Sequence, residues 1–134
     1  MKHDLKYSEL TSKIIGCAIE VHKFLGNGFQ EVIYQRSLEI EMRNAKLSFI
    51  REQDMPVFYK GEPVGIRRVD FFVENIVMLE LKAIIKLENV HFAQAINYLE
   101  AYNMEIGLLI NFGSVSLEIK RLLNSKYVKP TIII

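Results

Sequence analysis

The segment Arg68 to Lys82, RVDFFVENIVMLELK, constrains this chain most, because strand side chains alternate faces and a hairpin's register is therefore a matter of parity. With a three-residue loop, Glu74-Asn75-Ile76, the hairpin centres on Asn75, so that Asp70 lies opposite Glu80 and Phe72 opposite Met78. The odd-numbered face is then Val69, Phe71, Val73, Val77, Leu79 and Leu81, wholly apolar and fit for a core. The even face takes every charge. On it Asp70 and Glu80 stand with Cβ atoms ~5 Å apart and Lys82 follows two residues on. A two-residue turn instead sends the two carboxylates to opposite faces and places one of them in the core.

Two carboxylates so close repel, and partial burial drives one neutral unless a cation intervenes. A hard divalent ion suits them: Mg²⁺ takes oxygen ligands and is held by one or two carboxylates together with waters and substrate phosphate oxygens. Lys82 beside that pair supplies a point charge for an attacking water or for charge developing at phosphorus. The constellation fits phosphodiester hydrolysis. A solvated sheet face carrying an Asp-Glu-Lys ion network fits the same spacing.

Around this hairpin the pattern is that of an α/β chain. Leu10, Ile14, Cys17, Ala18, Val21 and Leu25 recur at helical spacing from Ser8 to Leu25, with Ser8 or Thr11 as cap, and Gly26-Asn27-Gly28 stops the helix. A second helix is predicted from about Glu31 to Lys46, packed on the first, with Cys17 and His22 belonging to the pair. Short strands follow at Phe49-Ile50, Val57 to Tyr59, Val69 to Val73 and Val77 to Leu81, with turns at Lys60-Gly61-Glu62 and Glu74-Asn75. A third helix is expected at about Val90 to Tyr102, a buried strand at Ile106 to Asn111, and a strand or short helix at Leu117 to Leu123. The apolar tail, TIII, suits an edge strand or a partner contact. The 134 residues suffice for one domain, residues 1–134, with a mixed sheet and helices on its faces.

Composition narrows the function. Seventeen Lys and Arg against sixteen Asp and Glu leave a net charge of +1, so a polyanion partner must be met by local charge. One cysteine makes no intramolecular disulfide, and no Cys/His spacing suits structural zinc. The start, MKHDLKYSEL, lacks the apolar core of a signal peptide, and no apolar run approaches a membrane span. The expectation is a cytoplasmic protein with no membrane partner.

Asp70 followed by Glu80-Leu81-Lys82 resembles the D…(D/E)xK signature of the PD-(D/E)XK nuclease superfamily, with Val69 where a proline is usual. Gln94-Ala95-Ile96-Asn97-Tyr98 is similar to the QxxxY element of that superfamily's repair-exonuclease branch, and Gly28 to Tyr34 to the GxxExxY pattern of a small bacterial family within it. The segments EVHKFLG, VFYKG and LLINFG agree with that family, so the resemblance covers nearly the whole chain. It implies a restriction-endonuclease-like fold and a nuclease using Mg²⁺ or Mn²⁺. Asp70 and Glu80 are the implied metal ligands with Glu31 as third carboxylate, Lys82 aids the water or the transition state, and Gln94 positions the metal site or phosphate. Glu31 also fits the first turn of its helix, where a carboxylate complements the helix dipole. Tyr34 also reads as a core residue with a bonded hydroxyl.

On the third helix His91, Gln94 and Tyr98 form one polar stripe suited to a site wall, although His91 alone also fits an exposed helix position. Arg67, Arg68, Lys82 and Lys86 are the local basic residues for substrate phosphates, with Arg68, His91 and Tyr98 as substrate-positioning candidates. Lys120, Arg121, Lys126 and Lys129 suggest a further basic edge. No base-reading module is recognisable, so sequence specificity falls to a homo-oligomer or a partner protein. The rival to an enzyme is a non-catalytic nucleic-acid-binding or protein-interaction module on the same fold.

Overall fold

The computed structural model describes residues 7–131. The tail Ile132 to Ile134 and the start Met1 to Lys6, with the expectations attached to them, lie outside the described residues. Helices α1 (Ser8–Leu25) and α2 (Glu31–Asn44) form the expected hairpin. Ile14, Cys17, Ala18 and Val21 of α1 and Tyr34, Leu38 and Met42 of α2 are buried, each set at helical spacing. Gly26, at φ 77°, ends α1 in a backbone conformation that a side chain would strain. Two details differ from expectation. Thr11 sits inside the first turn and donates its hydroxyl to the carbonyls of Tyr7 or Ser8 rather than capping the helix. Helix α2 stops at Asn44, before the expected Lys46, where the chain turns with Lys46 at φ 63°.

Strands β1 (Phe49–Tyr59), β2 (Glu62–Val73), β3 (Val77–Lys82), β4 (Ile106–Asn111) and β5 (Glu118–Leu123) form one sheet in sequence order, and α3 (Asn89–Ala101) connects β3 to β4. Among the described residues only the β3/β4 pair is parallel. That is the pair needing a crossover helix, whereas the antiparallel neighbours close through short turns. The short runs expected at Phe49 and Val57 are one long strand. The charged stretch between them is strand too, because the β1/β2 ladder runs out into an arm that is uniformly exposed from Glu62 to Ile66 on β2 and alternates only between half-buried and exposed from Gln53 to Phe58 on β1. An arm without a fully buried face gives the sequence little apolar alternation to display. Leu117 to Leu123 resolves to a strand.

The hairpin register is the predicted one: Phe71 pairs with Leu79, Phe72 with Met78 and Val73 with Val77. Phe71, Val73, Val77, Leu79 and Leu81 join α1 and α2 in one core. The even face is not a charged surface, however. Phe72 and Met78 pack with Leu109, Leu122 and the α3 residues Ala95 and Leu99 in a second core. Val69, expected with Phe71, lies in this second core as well. Side-chain alternation along β2 therefore slips at Asp70, opposite Glu52, whose φ of 57° marks the same irregularity on β1.

The basic C-terminal segment does not make one edge: Lys120 lies over the Phe92 ring of α3, Arg121 donates to Thr11 of α1, and Lys126 pairs with Glu100. Strand pleating sends Lys120 and Arg121 to opposite faces. Among the described residues no helix is long and apolar enough to cross a membrane.

Candidate active site

The site forms where β2 and β3 part. Their ladder ends at the Phe71/Leu79 pair, and beyond it carboxylates replace backbone partners. The Leu81 N–H donates to Asp70 Oδ2 at 2.8 Å, and the Asp70 N–H donates to Glu80 Oε2 at 3.2 Å. Each acid thus satisfies a backbone donor left free by the widening strands, which fixes both side chains in the gap.

Their remaining oxygens look opposite ways. Asp70 Oδ1 accepts Nε2 of Gln35, a buried residue of α2, at 3.3 Å. Glu80 Oε1 accepts Arg67 Nη2 at 2.6 Å, and the Arg67 guanidinium carbon lies 4.5 Å from the centre of the Tyr98 ring on α3. The slip at Asp70 produces this arrangement, since it turns Arg67 and Val69 toward α3 and leaves Asp70 within reach of α2.

Glu80 is only 3% exposed. Burial and then the neighbouring Asp70 carboxylate push its pKa up to about 7, against the pull of Arg67 and Lys82. Burial likewise raises Asp70, which the Leu81 N–H, Arg67 and Lys82 pull back. Glu31, the first residue of α2, is raised by burial and by Asp70 and lowered by Lys82 and Arg67. Lys82, at the end of β3, therefore acts on all three carboxylates while forming no ion pair among the described residues.

Glu31 owes its place to Tyr34. The fully buried Tyr34 hydroxyl donates to the Gly26 carbonyl and accepts the Phe29 N–H at 3.1 Å, and the ring stacks on Phe112 at 4.7 Å. These contacts pin the turn between α1 and α2 and so set where α2 begins. Both readings of Tyr34 meet in one residue: it is core, and it presents Glu31 to the site. The loop after Lys82 is held just as firmly. The buried Asn111 side chain accepts from Ile84 N and Gly113 N and donates to Ile84 O and Glu118 Oε1.

Several expected site residues stand apart. Arg68 is exposed and engaged by both oxygens of Asp54, at 2.8 and 3.4 Å, so that the guanidinium facing the acids is that of Arg67. His91 Nδ1 accepts the Glu88 N–H in a capping box at the start of α3, which gives that ring a structural task. The Gln94 side chain is exposed and makes no hydrogen bond among the described residues. Of the predicted stripe only Tyr98 touches the site, through Arg67. Cys17 is buried in the core and His22 bonds the Ser114 carbonyl, both structural.

A divalent cation fits the donor set. Asp70 and Glu80 offer four carboxylate oxygens, each accepting one N–H and each with a second lone pair. Burial and the neighbouring Asp70 carboxylate raise the Glu80 pKa although Arg67 and Lys82 pull it down, so a further cation at the pair would favour the charged form. Among the described residues no three His, Cys, Asp or Glu side chains gather into a cage, so Glu31, anchored at the start of α2, is not a preformed third ligand. A two-carboxylate site completed by water or phosphate oxygens is the arrangement Mg²⁺ favours.

Comparison with known proteins bears on the family and the fold. A family model described as the PD-(D/E)XK nuclease superfamily matches residues 8–122. No curated protein sequence gives a significant match. A solved structure titled "Crystal structure of SSO0001" superposes with a TM-score of 0.54 at 17% identity, covering 87% of this chain. That likeness is one of fold, and the chain spans 60% of the other's length.

Proposed function

The chain belongs to the PD-(D/E)XK nuclease superfamily, and on that premise we propose that it is a nuclease hydrolysing phosphodiester bonds in DNA or RNA with Mg²⁺ or Mn²⁺ held by Asp70 and Glu80. The observation that carries this reading is the pair of carboxylates set into one strand gap beside Lys82. A divalent ion bound there supplies the charge that makes an attacking water more acidic and offsets negative charge at phosphorus. Lys82 stabilises that negative charge or orients the water, being the cation that acts on all three acids while forming no ion pair among the described residues. Glu31 is a third acid within electrostatic reach of Asp70 and Lys82, and Tyr98, through its contact with Arg67, borders the side on which the phosphate enters. The Gly28, Glu31 and Tyr34 pattern supports reading the chain as a member of the GxxExxY group within the superfamily.

Nucleic acid is the partner, and a second copy of the chain or another protein supplies specificity, since the charge near the site suits phosphate without reading bases. The test is cleavage of single- and double-stranded DNA and RNA by the purified full chain with Mn²⁺ or Mg²⁺. Wild type is expected to cut at least one substrate and Asp70→Asn none; equal cutting by both, or by both in chelator, refutes the reading.

One observation favours the non-catalytic module: Arg67 already neutralises Glu80 without any metal. That module binds nucleic acid or protein with no dependence on divalent ions.

A further inference from the structure

We propose that Arg67 is a resident counter-ion that occupies the cation position at Glu80 and must leave it for a divalent ion to bind; this rests on the two-carboxylate metal site of the preceding section. Glu80 is nearly inaccessible, and its only ion pair among the described residues is with Arg67, at 2.6 Å. The other hydrogen-bond donors to the two acids, Asp70 N–H, Leu81 N–H and the Gln35 amide, are neutral. Arg67 thus holds the place in which a cation is needed, and a guanidinium and a divalent ion cannot share one carboxylate oxygen without strong repulsion.

The guanidinium is built in from two further sides. Nη1 donates to the Arg68 carbonyl at 2.6 Å, and the Tyr98 ring supports the planar group from α3. It is also able to leave. The Arg67 side chain is 31% exposed, against 3% for Glu80, so it has a path to water. Its Nε is buried without a hydrogen-bond partner, a cost that departure relieves. Tyr98 therefore acts as a dock that holds Arg67 beside the site, and the site is a two-state element in which Arg67 and the divalent ion compete for one carboxylate.

Calorimetric titration of the full chain with Mn²⁺ and with Mg²⁺ tests this, using wild type, Arg67→Met, Tyr98→Leu and Lys82→Met. Arg67→Met is expected to bind about tenfold more tightly than wild type, the fold-change corresponding to ~1.4 kcal/mol, and Tyr98→Leu to shift affinity in the same direction by a smaller factor. Lys82→Met removes an equal charge that has no direct contact with Glu80, and is expected to change affinity by less than about threefold. Equal or weaker binding by Arg67→Met, or the same gain from Lys82→Met, overturns the proposal.

A second measurement needs no variant. In ¹⁵N spectra with the Arg67 Nε–H peak assigned through its own backbone, saturating Mg²⁺ is expected to shift that peak and speed its exchange with water by about tenfold or more, as its burial is lost. Ion binding with the peak unmoved overturns the Arg67 role and leaves the nuclease reading intact. No binding of either ion by any of the four proteins overturns both.

Discussion

Asp70 and Glu80 are tied to each other through backbone rather than side chain: the Asp70 N–H donates to Glu80 Oε2, while Asp70 Oδ2 takes the N–H of Leu81, the residue after Glu80. Two mutually repelling acids are thereby held in place by bonds that the parted strands would otherwise leave unmade. The fold tolerates the charge because it needs the acceptors.

A pH dependence follows from Glu80. Its ordinary value of 4.5 rises to about 7 on folding, chiefly through burial. Between those values the folded chain holds a proton that the unfolded chain has released, so stability falls as pH rises through this window. The shift corresponds to about 3 kcal/mol. Denaturant melts in chelator from pH 5 to 8 are expected to show wild type losing stability relative to Glu80→Gln as pH rises. Parallel curves would mean that the carboxylate is already compensated, most directly by Arg67.

The register of this hairpin was legible because five charges of one parity alternate with six apolar residues of the other, and only a loop centred on Asn75 satisfies both. The second core under α3 was not, because Phe72 and Met78 are two apolar residues among those charges and their cover comes from distant sequence. Arg67 is instructive: the sequence names it among the basic residues for phosphate but not as the partner of Glu80. Its odd number assigns it to the apolar face, a conflict that itself signals the slip at Asp70, yet basic residues at 67 and 68 look interchangeable in the sequence. Gln35 was equally hidden, since its partner is 35 positions away. The helices were readable because glycine and apolar spacing act locally.

Lys82→Ala separates catalysis from metal binding. The Lys82 side chain offers no oxygen ligand and makes no ion pair with Asp70 or Glu80 among the described residues, so its loss leaves both acids in place. Cleavage is expected to fall by about 10²–10³-fold, as for removal of one transition-state stabiliser, while calorimetric Mn²⁺ affinity stays within a few-fold of wild type. Undiminished cleavage would locate the activity in a contaminant or in another residue.

Tyr34→Phe removes one hydroxyl that serves both the Gly26 carbonyl and the Phe29 N–H while keeping the ring on Phe112. Stranding those backbone groups is expected to cost about 1–3 kcal/mol in thermal or urea unfolding. Because the same bonds fix the start of α2, the variant should also loosen Glu31, read as faster amide exchange at Phe29 and Glu31. An unchanged melt would show that water replaces the hydroxyl.

Gly113→Ala is expected to be the most damaging small substitution near the site. A Cβ built there stands 2.4 Å from both the nitrogen and the oxygen of Ile84, and backbone atoms cannot rotate aside as a side chain would. Nor can Ile84 shift freely, because Asn111 bonds its N–H and its carbonyl, each at 2.9 Å. Relief therefore requires breaking the buried Asn111 network, which also holds Gly113 and Glu118. Together, steric strain and orphaned polar groups should remove more than ~3 kcal/mol. Ile84 lies two residues after Lys82, so any variant that still folds should carry Lys82 out of position and lose activity beyond its loss of stability. Gly65→Ala is the matched control: it lies on the exposed arm with nothing within 4 Å of its added Cβ, and is expected to stay within about 1 kcal/mol of wild type. Chemical denaturation of both variants decides the point, and a Gly113→Ala protein as stable as the Gly65→Ala control would show that the loop after Lys82 is looser than the Asn111 network makes it.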